Sequence, residues 1–292
     1  MPLSNGWLGL ILLWACGLPL AAAESPALER RLLADAGDGS LDAFTLTSAC
    51  LIAGGPADAA ELEKHERQLD AWSQRLLDGM PTDLAVERRA AAIFAALHRE
   101  ILVGRYDPRA SDLGRTLRDG DFNCLTALVL YYEFCRRADV PLEIWSRPGH
   151  VYCRLPKSSQ RIEPTLRNWL TATQLQATTE TRPARRITPV ELVGRCYYNR
   201  GVELLQRRQF AQGLALLEIA RRLDPADTDA RANLLAGLNN WALALSARGE
   251  HSAADRLIAR GLAIDPRFPP LVANARLLRR TQQQSALRAG GD

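Results

Sequence analysis

One segment constrains the fold more than any other. From Cys124 to Ala138 the chain is apolar nearly all round, with Leu125, Leu128, Val129, Leu130, Tyr131 and Phe134 covering most of a helical wheel. A helix of that kind cannot lie on a surface, so other elements must enclose it. Its ends are marked. Asp121 or Asn123 fits the N-cap, and Arg136 and Arg137 put cations in the last turn, where the macrodipole favours them. Asp139 and Val140-Pro141 end it, because the residue before a proline is driven out of helical geometry.

The flanking patterns supply the enclosure. From about Ala27 to Val103 the apolar spacing is helical, most clearly after Thr82, an expected N-cap following Pro81. Val86, Ala90, Ile93, Phe94, Leu97 and Ile101 recur there at i+3/i+4 spacing, and His98 beside the stripe reads as a histidine at the core edge. Gly104 to Gly120 reads as irregular, with turn chemistry at Tyr106-Asp107-Pro108, Gly114 and Asp119-Gly120. After Pro141 the period drops to two. Leu142, Ile144 and Trp145, then Val151, Tyr152, Cys153 and Leu155, predict short strands joined at Arg147-Pro148-Gly149. A second turn at Lys157-Ser158-Ser159-Gln160 leads into Arg161-Ile162-Glu163, completing a small antiparallel meander.

Residues 171–190 are polar and Thr-rich, with Pro183 and Pro189, and read as a linker between residues 24–170 and residues 191–292. From Val190 onward the chain is helical and repetitive. Tyr197, Gly201, Leu204, Gly213, Ala220 and Asp224-Pro225 form one unit; Trp241, Ala242, Leu245, Ala254, Gly261 and Asp265-Pro266 form a second. The two Asp-Pro pairs are 41 residues apart. A tetratricopeptide repeat has a period of about 34, so a first helix lengthened by roughly two turns between Thr228 and Ala247 is expected. Pro269 to Arg288 reads as a capping helix. The whole is a helix-rich α+β region followed by an all-α repeat region, in keeping with the ~100–200 residues per domain that a 292-residue chain suggests.

The N-terminus stands apart. Gly6 through Ala23 carry no charge and end in Pro19-Leu20-Ala21-Ala22-Ala23, a pattern that fits a cleaved export signal of residues 1–23. Two other readings stay open: an uncleaved membrane anchor at the short end of a span, and lipidation at Cys16, against which the bulk of Trp14 counts. Export would leave Cys50, Cys124, Cys135, Cys153 and Cys196, an odd set with at least one thiol unpaired within the chain. A Cys135–Cys153 disulfide is one pairing such a compartment allows. There is no CxxC and no HExxH, and nothing points to a metal or an organic cofactor. The paired arginines Arg207-Arg208, Arg221-Arg222 and Arg279-Arg280 read as solvated helix faces rather than a nucleic-acid surface, since no aromatic residues interleave with them. A net charge of +4 and 24% charged residues also fall short of such a surface.

Three residues carry chemistry by their placement: Cys124 opening the buried helix, His150 opening a strand after Pro148-Gly149, and Glu163 ending the next strand. A thiol at a helix N-terminus faces unpaired N–H groups and the positive end of the dipole, which can lower a cysteine pKa from about 8.5 to roughly 3.5–7.5. The same amides can donate to an oxyanion. A histidine on the adjacent strand can hold the thiol proton, and a carboxylate beyond it can fix the ring.

Asn123-Cys124-Leu125, Gly149-His150-Val151-Tyr152 and Ile162-Glu163-Pro164-Thr165, in that order, resemble the core of the transglutaminase-like superfamily. The layout from about Ala27 to Leu278 resembles a bacterial branch of it with C-terminal tetratricopeptide repeats. The resemblance implies a papain-like domain in which Cys124 is the nucleophile, His150 the base and Glu163, where Asp is usual, the orienting acid. It implies acyl transfer from a peptide or glutamine amide through a Cys thioester, a protein or peptide substrate, and a protein partner on the repeats. Members of that branch without turnover imply the alternative, a binding scaffold.

Overall fold

The computed structural model describes residues 27–55, 58–81, 83–158, 160–174 and 184–289. The export-signal segment with Cys16, the expected cap Thr82, and residues 175–183 of the expected linker lie outside the described residues. The first layer is helical: α1 (Ala27–Asp35), a 3-10 turn, α2 (Leu46–Gly54), α3 (Ala59–Asp78), α4 (Val86–Glu100) and α5 (Leu113–Asp119). Then come α6 (Cys124–Arg137), β1 (Glu143–Arg147), β2 (His150–Arg154), α7 (Trp169–Gln174) and β3 (Arg185–Ile187). The chain ends in α8 (Pro189–Gln206), α9 (Phe210–Leu223), α10 (Thr228–Ser246), α11 (His251–Ile264) and α12 (Pro269–Ala289). No helix among the described residues is long and apolar enough to cross a membrane.

The apolar helix is α6, and it is enclosed as its composition demands: α2, α4 and β2 all pack on it. Leu125, Leu128, Val129, Leu130, Tyr131 and Phe134 are all buried. Tyr131 buries its ring edge-on to Phe94 of α4 and still satisfies its hydroxyl, which donates to the Ala90 carbonyl at 3.0 Å. An unpaired hydroxyl there would cost about 1–3 kcal/mol. The last-turn arginines have a more specific task than meeting the dipole. Glu133 of α6 is fully enclosed, and Arg136 and Arg137 both donate to it at 2.8 Å. Arg137 also reaches Asp70 of α3 at 2.6 Å.

Three local expectations are corrected. Gly104–Gly120 is not wholly irregular: Asp112 caps α5 by accepting from the Arg115 N–H, and Gly120 closes it at φ +76. Arg161-Ile162-Glu163 is not a full strand; Ile162 makes one antiparallel bridge to Cys153 on the outer edge of β2. The third strand is instead β3, inside the stretch expected as linker, giving sheet order β2-β1-β3. Two of its three residues are arginines, so it lacked the alternating apolar signature of a strand.

Cys50, Cys135, Cys153 and Cys196 are buried free thiols, so the Cys135–Cys153 pairing is not formed. The C-terminal half is a run of antiparallel helix pairs. Gly201 of α8 and Gly213 of α9 let the two backbones touch; a Cβ on Gly213 would lie 2.9 Å from the Gly201 carbonyl. The lengthened helix expected between Thr228 and Ala247 is α10, with 19 residues. One hydrophobic core runs from Leu32 through α6 and the sheet into α8 and α9, reaching Ala230. A second fills the α9–α12 pairs, from Leu214 to Leu278.

Candidate active site

Cys124 occupies the first helical position of α6, half-exposed, behind the buried Asn123 cap. Asn123 Oδ1 accepts from the Leu125 N–H at 2.9 Å and the Thr126 N–H at 3.0 Å, and Thr126 Oγ1 accepts from the Asn123 N–H at 3.1 Å. This capping box changes the expectation for the helix end. Two of its free amides are already consumed, and the Ala127 N–H donates to the Asn123 carbonyl. Among the described residues, the Cys124 N–H is the first-turn donor left without an internal acceptor. One amide able to donate to an oxyanion therefore survives the cap.

His150 opens β2 across the Pro148-Gly149 turn. Gly149 sits at φ +73, and proline followed by a left-handed glycine is the pairing a type II turn requires. Register then sorts the hairpin. Trp145 pairs with Tyr152 and Arg147 with His150, while Ile144 and Cys153 face the core. On the site face, the His150 ring lies near-parallel to Tyr152 (centroids 6.3 Å apart, 21° between planes), and Tyr152 near-parallel to Trp145 (6.5 Å, 14°). Arg161 stands over Tyr152 at 4.3 Å and Arg154 over Trp145 at 4.4 Å, which closes the stack with cations.

The three sequence-selected residues come together. His150 Nε2 lies 2.9 Å from Glu163 Oε2 and 3.2 Å from Oε1, and Cys124 lies close enough to the ring to bias its charge. With Nε2 taken by the carboxylate, Nδ1 is the ring nitrogen left to serve the cysteine, since each ring nitrogen has one in-plane site. The glutamate follows from register. Extending the Cys153–Ile162 bridge puts Glu163 opposite Tyr152, two residues from His150. Such a diagonal pair is about 7–8 Å apart, a gap suited to the longer acid.

Burial works against charge on His150, yet the hydrogen bonds and negative charge of Cys124 and Glu163 outweigh it, so its pKa is pushed up to about 9. The raised value favours the charged ring at neutral pH, with Nε2–H donating to the carboxylate.

Further side chains complete the site, and sequence reasoning did not select them. Arg161 pairs with the buried Glu163 and so shares the carboxylate with His150. His98, read as a core-edge residue, is in the core, but its Nε2 donates to the Pro164 carbonyl at 3.0 Å and pins the residue after Glu163. Burial lowers its pKa, which suits a neutral ring with one donor. Tyr106 is about half exposed and bridges Phe122 through the backbone, two residues before Cys124. The backbone just before it lies against Gly120, where a Cβ would meet the Gly104 N at 2.9 Å, so the Gly104/Gly120 pair is the sequence signal for that approach. Partial burial, then the negative charge of Cys124, Glu163 and Asp107, raise the Tyr106 pKa and keep its phenol protonated.

Among the described residues no cluster of His, Cys, Asp and Glu could hold a metal ion. No family model matches the chain, and neither a curated protein nor a solved structure matches it. The case for the site is therefore its own geometry and chemistry.

Proposed function

We propose that the protein is an exported cysteine acyl-transfer enzyme of transglutaminase-like type. The observation that carries this reading is the Cys124–His150–Glu163 array, in which His150 Nε2 meets the buried Glu163 carboxylate at 2.9 Å and Cys124 lies close enough to bias the ring's charge. The Cys124 sulfur, as thiolate paired with His150, attacks the carbonyl carbon of a peptide or glutamine amide. The carbonyl electrons move to oxygen, where the Cys124 N–H donates; the protonated Tyr106 phenol is assigned the side-chain donor role. The tetrahedral intermediate collapses as His150 Nδ1–H protonates the leaving nitrogen, releasing amine and leaving a Cys124 thioester. Neutral His150 then takes a proton from water or an acceptor amine, which attacks the thioester and restores the thiolate. Glu163 keeps Nε2–H bonded throughout, so the ring does not rotate between the two half-reactions.

The α8–α12 helix pairs, of tetratricopeptide type on this reading, bind a protein partner or present the protein substrate, as stacked helix pairs do. The alternative is a non-catalytic scaffold in which only the repeats bind. The N-terminal residues fit export to the periplasm or exterior, with membrane attachment only through an uncleaved anchor or Cys16.

The test uses N,N-dimethylcasein and a glutamine-containing peptide as acyl donors with hydroxylamine as acceptor. Hydroxamate formation, together with a Cys124 acyl adduct by peptide mass spectrometry that Cys124→Ala lacks, is expected. Absence of both the product and the adduct, in a protein whose fold is intact, would move the reading to the scaffold.

A further inference from the structure

The turn that carries His150 is not held by its own domain alone. A two-residue hairpin loop is best closed by type I′ or II′ turns, whose twist matches the strands; a Pro-Gly loop of type II hand splays them. Pro148 has no N–H, so Gly149 supplies the loop's single peptide donor. That N–H donates to Asp229 Oδ2, 80 residues on, at 3.0 Å. Asp229 lies in the first turn of α10, within the helix-pair half of the molecule.

The acceptor is itself built in. Arg195 of α8 is 8% exposed and places Nη1 3.3 Å from both Asp229 Oδ2 and Asp227 Oδ2. Its Nη2 donates to Ser146 Oγ of β1 at 3.1 Å, and Ser146 is buried. Asp227 uses its other oxygen to cap α10, accepting from the Asp229 N–H at 2.8 Å and the Ala230 N–H at 3.1 Å. Both ends of the β1–β2 loop are thus tied to the helix pairs: Ser146 before it through Arg195, and Gly149 after it through Asp229. His150 follows directly, and its ring must meet Cys124 and Glu163 at once.

We propose that Asp229 and Arg195 are positioning residues for His150, so that the helix-pair half is part of the catalytic apparatus and not only a docking module. This rests on the acyl-transfer reading of the Cys124 site. Loosening the turn swings the ring away from Glu163 and Cys124 together. Misplacement of about 1 Å at a reacting group can cost ~100-fold in rate.

The chain has four histidines, so His150 can be followed by NMR titration in the full-length protein. In the wild type, His150 is expected to titrate at about 9. In Asp229→Ala it should fall toward the ordinary ~6.5 of an unpaired imidazole, with hydroxamate formation down roughly ten- to hundredfold. Asp229→Asn keeps an acceptor for the Gly149 N–H and should retain most of both. Asp265→Ala removes a comparable ion pair, Arg231 to Asp265 at 3.0 Å, away from the hairpin and should change neither. A wild-type His150 titrating near 6.5 overturns the reading of the site itself. A raised wild-type value that Asp229→Ala leaves unchanged, with the rate unchanged, overturns the positioning role alone. Loss of both in Asp265→Ala as well would reduce the effect to general stability and overturn it too.

Discussion

The two ends of α6 use the same helix in opposite ways. At the start, the Asn123–Thr126 capping box satisfies the terminal amides but leaves one, on Cys124, whose partly exposed thiol bears on the charge of His150. At the finish, every charge is answered locally: Glu133 takes Arg136 and Arg137, and Arg137 takes Asp70. Even the cysteines divide this way. Cys135, near the C-terminal end, is buried, and desolvation pushes its thiol far above the ordinary range. The same residue type on one helix is thus partly exposed beside a histidine and a glutamate at one end and sealed in the core at the other. The difference lies in what faces the sulfur, since the helix geometry is shared.

The largest effect that separates the ends is on rate. His150→Ala should lower turnover by about 10²–10⁴-fold, the usual worth of a general acid–base, whereas Cys135→Ala should leave turnover of folded protein unchanged. Hydroxamate assays on both variants check this, and equal losses would break the comparison.

The next effect is on stability. Glu133 is fully enclosed but Arg136 is 54% exposed, so Glu133→Ala should destabilise by about 2–3 kcal/mol, below the ~3–5 of a wholly buried pair. Urea denaturation measures it, and the Cys124 labelling profile should stay put.

The ends should also respond to pH in opposite senses. His150 is raised to about 9, so its contribution is complete below the unfolded value near 6.5 and is lost as pH climbs through its folded value. Glu133 is held low: burial alone would raise it, but the hydrogen bonds from Arg136 and Arg137 prevail. Its contribution is present above the unfolded carboxylate value and is lost as pH falls through the folded one. Thermal midpoints across pH should lose the alkaline slope in His150→Gln and part of the acid slope in Glu133→Gln. The smallest effect belongs to the cap: Asn123→Ala should cost about 1 kcal/mol, seen as a modest drop in midpoint.

Legibility in the sequence followed the range of the interactions. The buried helix, its asparagine cap, the Pro-Gly turn and the order Cys124, His150, Glu163 rest on contacts within a few residues or on simple periodicity. The β3 strand was hidden because Arg185 and Arg186 sit on an edge and its partner is β1, about 40 residues back. The α5 helix was masked by the turn-forming Asp112, Gly114 and Gly120 that bound and punctuate it. His98, Arg161 and Asp229 could not be selected, because each acts through a group brought near only by the tertiary fold: the Pro164 carbonyl, the Glu163 carboxylate and the Gly149 amide.

The central claim is that Cys124 and His150 form an activated pair. It is tested most directly by the pH dependence of iodoacetamide alkylation, resolved by peptide mass spectrometry over Cys50, Cys124, Cys135, Cys153 and Cys196. The account predicts that Cys124 alone is alkylated rapidly in mildly acidic buffer, and that His150→Ala returns it to the behaviour of an ordinary, unactivated thiol. A Cys124 that already follows that ordinary profile in the wild type, or that labels no faster than the four buried cysteines, would contradict it.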